Sequence, residues 1–189
     1  MKAGWIRGGA TGWSPGAYEW YFARTPLGSA LRRADERLIL PALDDVLSAD
    51  QRVLEVGAGT GHYTGRVARA ARSVVALEPS AAMRLHLVRR FAAEGLEAVE
   101  VVDGALPDRL GVSERFDGVV CLGVLNYVVD LERSLRALAE AVRPGGWVLF
   151  SVPPPSLEGR VHAFVEALMR RRVFLTAPAR AAAAARAGG

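Results

Sequence analysis

Apolar and polar residues follow two different rhythms along this chain. Short, mostly apolar runs fill residues 52–56, 73–77, 98–102, 116–122 and 147–152. Between most of them, over 60–71, 80–94 and 130–142, apolar residues recur at intervals of three or four. The first rhythm predicts short strands buried on both faces, and the second predicts amphipathic helices. Ser80 is a candidate N-cap, and Pro144-Gly145-Gly146 is a candidate helix stop. Strands alternating with helices predict a parallel sheet, and right-handed crossovers make it a doubly wound α/β sandwich.

The chain before this core reads differently. Residues 1–15 are glycine-rich, lack an apolar period and predict a flexible N-terminus. Tyr18, Trp20, Tyr21 and Phe22 then crowd together, and Thr25-Pro26-Leu27-Gly28 predicts a turn. A helix is expected over 29–47, with Ser29 as its cap and Leu31, Ala34, Leu38, Ala42 and Val46 on its apolar face. Pro41 is expected to kink or split it. The expected organisation is one domain over 1–189. It has a helical cap at 16–50, a core at 51–152 and a helical C-terminal region at 153–189.

Composition narrows the class. With 189 residues, 51% of them apolar and 23% charged, the chain can bury the core of one domain. Its single cysteine, Cys121, excludes a disulfide framework and fits a reducing, cytoplasmic compartment. The first twenty residues lack the apolar run of a secretory signal. The longest apolar stretch, 119–129, is broken by Asn126 and is about half of what a membrane-spanning helix needs. The net charge of +4 is unevenly placed. Residues 1–156 hold 18 basic and 18 acidic side chains, so the excess lies in 157–189. A basic nucleic-acid groove is therefore not expected.

Val53-Leu54-Glu55-Val56-Gly57-Ala58-Gly59-Thr60-Gly61 carries the chemistry. A strand runs into glycines that open a helix, so a ligand can lie against bare backbone and meet free N–H groups. The dinucleotide fingerprint requires its third glycine at position 62, where this chain has His62. Glu78 ends the next strand, 21 positions after Gly57, where a carboxylate can accept from both hydroxyls of a ribose. Asp103-Gly104 ends the third strand and Leu122-Gly123 the fourth. All lie at carboxyl ends of strands, the edge where open α/β sheets bind ligands.

These segments, with Leu77-Glu78-Pro79-Ser80, Asp103-Gly104-Ala105, Phe116-Asp117 and Arg143-Pro144-Gly145-Gly146, are in order and in register over about residues 38–152. In this the chain resembles class I S-adenosylmethionine-dependent methyltransferases, and most closely their small-molecule group. The resemblance implies S-adenosylmethionine as cofactor and a strand order of 3-2-1-4-5. It places Gly57, Ala58, Gly59 and Gly61 under the methionine part of the cofactor, with Glu55 orienting its amino group. Glu78 and Pro79 would meet the ribose, Asp103, Gly104 and Ala105 the adenine, and Leu122 and Gly123 the floor below the sulfonium.

A methyl group on a sulfonium is electrophilic already, so alignment and exclusion of water are the main tasks. Tyr18, Trp20 and Tyr21 are candidates to cover a small-molecule acceptor, or else to pack the helical cap on the domain. Asn126 and Tyr127 follow the fourth strand at the lip of the expected pocket. Tyr127, His62 and His162 are the catalytic candidates. His86 lies mid-helix, Cys121 reads as a core residue, and no cluster has metal-ligand spacing.

The family continues past the fifth strand with a helix and an antiparallel pair, strands six and seven. Here 157–174 reads as a helix, and 180–189 as an alanine-rich helix in which the chain stops. Strands six and seven are therefore expected to be missing. That leaves strand five as an apolar edge open to self-association. A shortened chain, strands supplied by a partner, and a complete short form all fit this ending. The competing function is a non-catalytic, methyltransferase-like binding or partner subunit.

Overall fold

The structure is a computed structural model that describes residues 13–110, 114–125, 127–128, 130–152 and 172–175. Expectations for residues 1–12, for Asn126 and His162, and for 153–171 and 176–189 lie outside the described residues.

Two helices come first. Helix α1 (Pro15–Arg24) starts where Ser14 Oγ accepts from the Ala17 N–H at 3.3 Å. Helix α2 (Pro26–Val46) starts where Thr25 Oγ1 accepts from the Gly28 N–H at 3.0 Å. Each has proline in its first turn, where no N–H is needed. The helix expected from Ser29 thus begins three residues earlier, because Thr25 is the residue that caps it.

Helix α2 also continues through Pro41, so the helix is not split there. Pro41 is exposed, so the helix can bow toward solvent around the missing hydrogen bond. Ile39, Ala42, Leu43 and Val46 hold both flanking turns against the sheet. Of the expected apolar face, Leu31, Ala42 and Val46 are buried and Leu38 is half exposed, while Ile39 and Leu43 are buried in addition.

The sheet contains β1 (Arg52–Val56), β2 (Ser73–Leu77), β3 (Val99–Val102), β4 (Phe116–Cys121), β5 (Val142–Val152) and β6 (Arg172–Leu175). Their order is β3-β2-β1-β4-β5-β6. The first five are parallel, which matches the order 3-2-1-4-5. The helices between them are α3 (Thr64–Ala70), α4 (Ala81–Ala93) and α5 (Leu131–Glu140). Alternate strand residues face opposite layers. Leu54, Val56, Val75, Leu77 and Val119 pack with Leu138 and Ala141 on one side. Val53, Val74 and Val120 pack with Leu43 and Val67 on the other.

Four boundaries move for local reasons. Helix α3 begins at Thr64 rather than at 60, because Gly61 sits at φ 83° in a turn whose N–H donates to Ala58 O. Helix α5 stops at Glu140, and Pro144-Gly145-Gly146 lies inside β5. There Gly145, at φ 84°, belongs to a bulge between the register pairs Phe116↔Val142 and Gly118↔Trp147. Trp147 packs where a Gly118 side chain would stand.

The fourth change concerns the sheet edge. A sixth strand is present, antiparallel to β5 from Leu149↔Leu175 to Val152↔Arg172. Residues 172–174, expected in a helix, extend instead because the open edge of β5 offers backbone partners that a β-branched and aromatic run can take. The expectation that β5 itself is the bare edge is thereby corrected for Leu149–Val152.

Candidate active site

A cavity of about 290 Å3 opens at the carboxyl ends of β1, β2 and β4. The glycine loop closes its floor. Gly57 N–H and Ala58 N–H both donate to Leu77 O, at 2.8 and 3.0 Å, which folds the loop over the end of β2. Gly57 has φ 77°, and a side chain there would meet Val124 Cγ2 at 2.2 Å.

Two acids stand in this floor. Glu78 is buried; its Oε2 accepts from Gly59 N–H and its Oε1 from Ser80 N–H, both at 2.9 Å. Burial pushes its carboxyl above the usual range, and these two N–H groups temper the rise. Glu55 is buried at the end of β1 with no hydrogen-bond partner for Oε2. Burial pushes it up to about 7, and the nearby Glu78 adds to the rise. The Thr64 hydroxyl lies near enough to moderate that shift without forming a well-aligned hydrogen bond.

Most residues expected in the site line this cavity, among them Glu55, Gly57, Ala58, Gly59, Glu78 and Pro79. Gly104, Ala105, Leu122 and Gly123 line it as well, as do Tyr18, Tyr21, Tyr127 and His62. Gly61, Asp103 and Trp20 do not. Gly61 instead meets the core, where a side chain would strike Leu87 and Phe91. Asp103 is drawn into ion pairs with Arg84 at 3.2 Å and Arg109 at 3.4 Å. Trp20 is 62% exposed on the outer side of α1.

Sequence reasoning missed the wall residues Trp13 and Ser151, and Glu19, which supports the glycine loop from α1. Trp13 lies in the segment read as flexible, yet its ring packs against Tyr18 and Tyr21 at 6.1 and 5.6 Å. Ser151 Oγ accepts from Gly123 N–H at 2.8 Å, which ties the β4 loop to β5. Glu19 accepts from the Thr60 hydroxyl and pairs with Arg32 at 3.4 Å, which docks the α1–α2 layer on the glycine loop. Burial works against that carboxylate, but the Thr60 and Arg32 contacts outweigh it and leave its pKa lowered. Polar residues on a cap helix carry no sequence signal of what they will face.

Among the described residues, no group of His, Cys, Asp and Glu could hold a metal ion, and no helix is long and apolar enough to cross a membrane.

A parallel sheet in this order, with a glycine loop and strand-end acids around one cavity, is the arrangement of a nucleotide-binding α/β domain. Residues 27–183 match a family described as "Methyltransferase domain", and the chain belongs to that family. The ubiquinone biosynthesis O-methyltransferase of Albidiferax ferrireducens is 35% identical over 122 residues, 63% of this chain and 48% of that protein. The chain spans about half the length of the curated relatives it matches. Among solved structures, the N-methyltransferase NodS from Bradyrhizobium japonicum, in complex with S-adenosyl-L-homocysteine, superposes with TM-score 0.57 at 18% identity, covering 70% of this chain and 65% of NodS. An S-adenosylmethionine-dependent methyltransferase from Thiobacillus denitrificans, also holding S-adenosyl-L-homocysteine, gives TM-score 0.53 at 25% identity, covering 68% of this chain and 49% of the other.

Proposed function

We propose that this chain binds S-adenosylmethionine and transfers its methyl group to a small-molecule acceptor. The observation that carries the reading is the Glu78 carboxylate, buried at the end of β2 and holding the Gly59 N–H. Each of its oxygens keeps a lone pair for a ribose hydroxyl. The unpartnered Glu55 Oε2 suits the ammonium group of the methionine part. The backbone of Gly104 and Ala105 is the surface offered to the adenine, with Asp103 held by its two arginines outside the cavity wall.

When bound, S-adenosylmethionine supplies a methyl group on a positively charged sulfur. The chain supplies orientation and shelter from water. In this reading Leu122 and Gly123 lie below the sulfonium, and Tyr18 and Tyr21 of α1 and Tyr127 after β4, which line the same cavity, cover the acceptor. An aromatic face over a cation contributes about 0.5–2 kcal/mol. We further propose a cytoplasmic location, which the single buried Cys121, without a disulfide, supports.

Isothermal titration with S-adenosyl-L-homocysteine, followed by methyl transfer to an acceptor panel, tests the reading. Binding with transfer is expected. Absence of binding overturns it. Binding without transfer to any acceptor identifies the competing function, a non-catalytic methyltransferase-like subunit.

A further inference from the structure

Beyond Glu78 the cavity wall is mostly apolar. Pro79 and Met83, after β2, line it together with Ala105 and Leu106, after β3. Met83, Ala105 and Leu106 are buried. The Ser80 hydroxyl is engaged as the cap of α4, where it accepts the Met83 N–H at 3.4 Å.

The polar groups after β3 are turned on one another. Ala105 N–H donates to Arg109 O at 2.8 Å, and Arg109 N–H donates to Ala105 O at 2.9 Å. Asp103 Oδ1 accepts from Arg84 Nη1 at 3.2 Å and from Arg109 Nη2 at 3.4 Å. Arg84 is fixed in its turn, because the same Nη1 donates to Glu78 O at 2.8 Å. The loop is closely packed. A side chain at Gly104 would meet Arg109 O at 2.8 Å and Leu77 Cδ2 at 3.0 Å.

We propose that this site holds the purine by apolar contact and does not select for the exocyclic amino group of adenine. Asp103 fastens the loop after β3 to α4 and is not a base-selecting residue. The proposal rests on the S-adenosylmethionine reading above and concerns only how the base is held.

The two acceptors nearest in sequence to the expected adenine surface are already used. A purine amino group is a neutral donor, and at Asp103 it would compete with two guanidiniums, whose charge-assisted hydrogen bonds are stronger. It would also compete with water, since that carboxylate is 49% exposed and lies outside the cavity wall. The Ala105 carbonyl could turn to the base only by giving up its reciprocal pair with Arg109. What remains is contact with Pro79, Met83, Ala105 and Leu106, and apolar burial carries no direction that would tell an amino group from an oxo group. The flexible thioether of Met83 adapts to either.

The test is isothermal titration of the full-length chain with S-adenosyl-L-homocysteine and with S-inosyl-L-homocysteine. In the second ligand a 6-oxo group replaces the 6-amino group and N1 carries a proton, so donor and acceptor exchange places on that edge. A site that hydrogen-bonds the amino group would reject this analogue by about 10,000-fold, because its own acceptor would be left unpaired. Here the two Kd values are expected to agree within about tenfold. Asp103→Ala is expected to keep its affinity for S-adenosyl-L-homocysteine within about threefold, as for a surface substitution away from the ligand. A preference for the adenine ligand above about tenfold overturns the proposal, and that comparison uses the parent chain, so it holds even where the variant does not fold. A larger loss of affinity in folded Asp103→Ala also overturns it. Either result leaves the cofactor reading standing, whereas failure to bind both ligands overturns the two together.

Discussion

Glu78 Oε2 accepts the Gly59 N–H at 2.9 Å, so the carboxylate at the end of β2 also sets the shape of the glycine loop. One side chain therefore serves the ligand and the floor on which the ligand lies. Glu78→Ala removes both. Affinity for S-adenosyl-L-homocysteine is expected to fall by about 1–3 kcal/mol, the range for a buried group that loses its partner. Calorimetry of the variant checks this, and an unchanged Kd would refute the ribose role.

The Glu55 carboxyl gives a pH prediction. Its native pKa of about 7 lies above its ordinary 4.5, so the native state holds the proton more tightly than the unfolded chain. Stability from this group is present in full below about pH 4.5 and is lost as pH rises toward 7. The loss is on the order of 3 kcal/mol when complete. Glu55→Gln cannot ionise, so the ligand-free variant is expected to melt higher than the parent at pH 8 and to match it near pH 4. Thermal melts across that range check the sign. The same variant is expected to bind S-adenosyl-L-homocysteine more weakly, because a neutral amide replaces the carboxylate facing its ammonium.

The loop glycines are not equivalent. A side chain at Gly59, φ 57°, meets nothing within 4 Å, so Gly59→Ala carries only the left-handed backbone strain of about 1–2 kcal/mol. Gly57→Ala adds a collision with Val124 Cγ2 at 2.2 Å. The Gly57 variant is expected to lose more stability than the Gly59 variant in urea titrations. Gly57→Ala combined with Val124→Ala is expected to recover part of the difference.

Asp117 is predicted to matter for folding alone. Buried at the start of β4, it accepts from Arg52 N–H and pairs with Arg143 Nε, each at 2.6 Å, which ties the amino ends of β1, β4 and β5 together. Asp117→Ala is expected to cost about 2–3 kcal/mol of unfolding free energy. Affinity for S-adenosyl-L-homocysteine should not change, since the cavity lies at the opposite ends of these strands. Denaturant melts and calorimetry on the same preparation separate the two effects.

The strands themselves and the strand-end acids were legible because their signals are local, and the strand order was legible only through the family resemblance. Mostly apolar runs such as Phe116–Cys121 need burial on both faces, which a parallel sheet between helix layers provides. The glycine spacing and the positions of Glu55 and Glu78 followed from the same register. The failures were of a different kind. The split allowed for at Pro41 does not occur, because the turns on either side of it pack on the core. Residues 172–174 were read by helical spacing, but the vacant edge of β5 made extension the better use of them.

The sequence by itself determined the alternation of strands and helices and the glycine loop at the end of β1, because apolar periodicity and turn chemistry act on neighbours in the chain, while the strand order came from the family resemblance. Only the tertiary structure decided the walls. It brought Trp13 against Tyr18 and Tyr21, set Glu36 behind His62 across 26 residues, and drew Asp103 away from the cavity to Arg84 and Arg109. The physical reason is that a polar or aromatic side chain on a helix surface takes its role from whatever the fold places opposite it, and no local pattern encodes that partner.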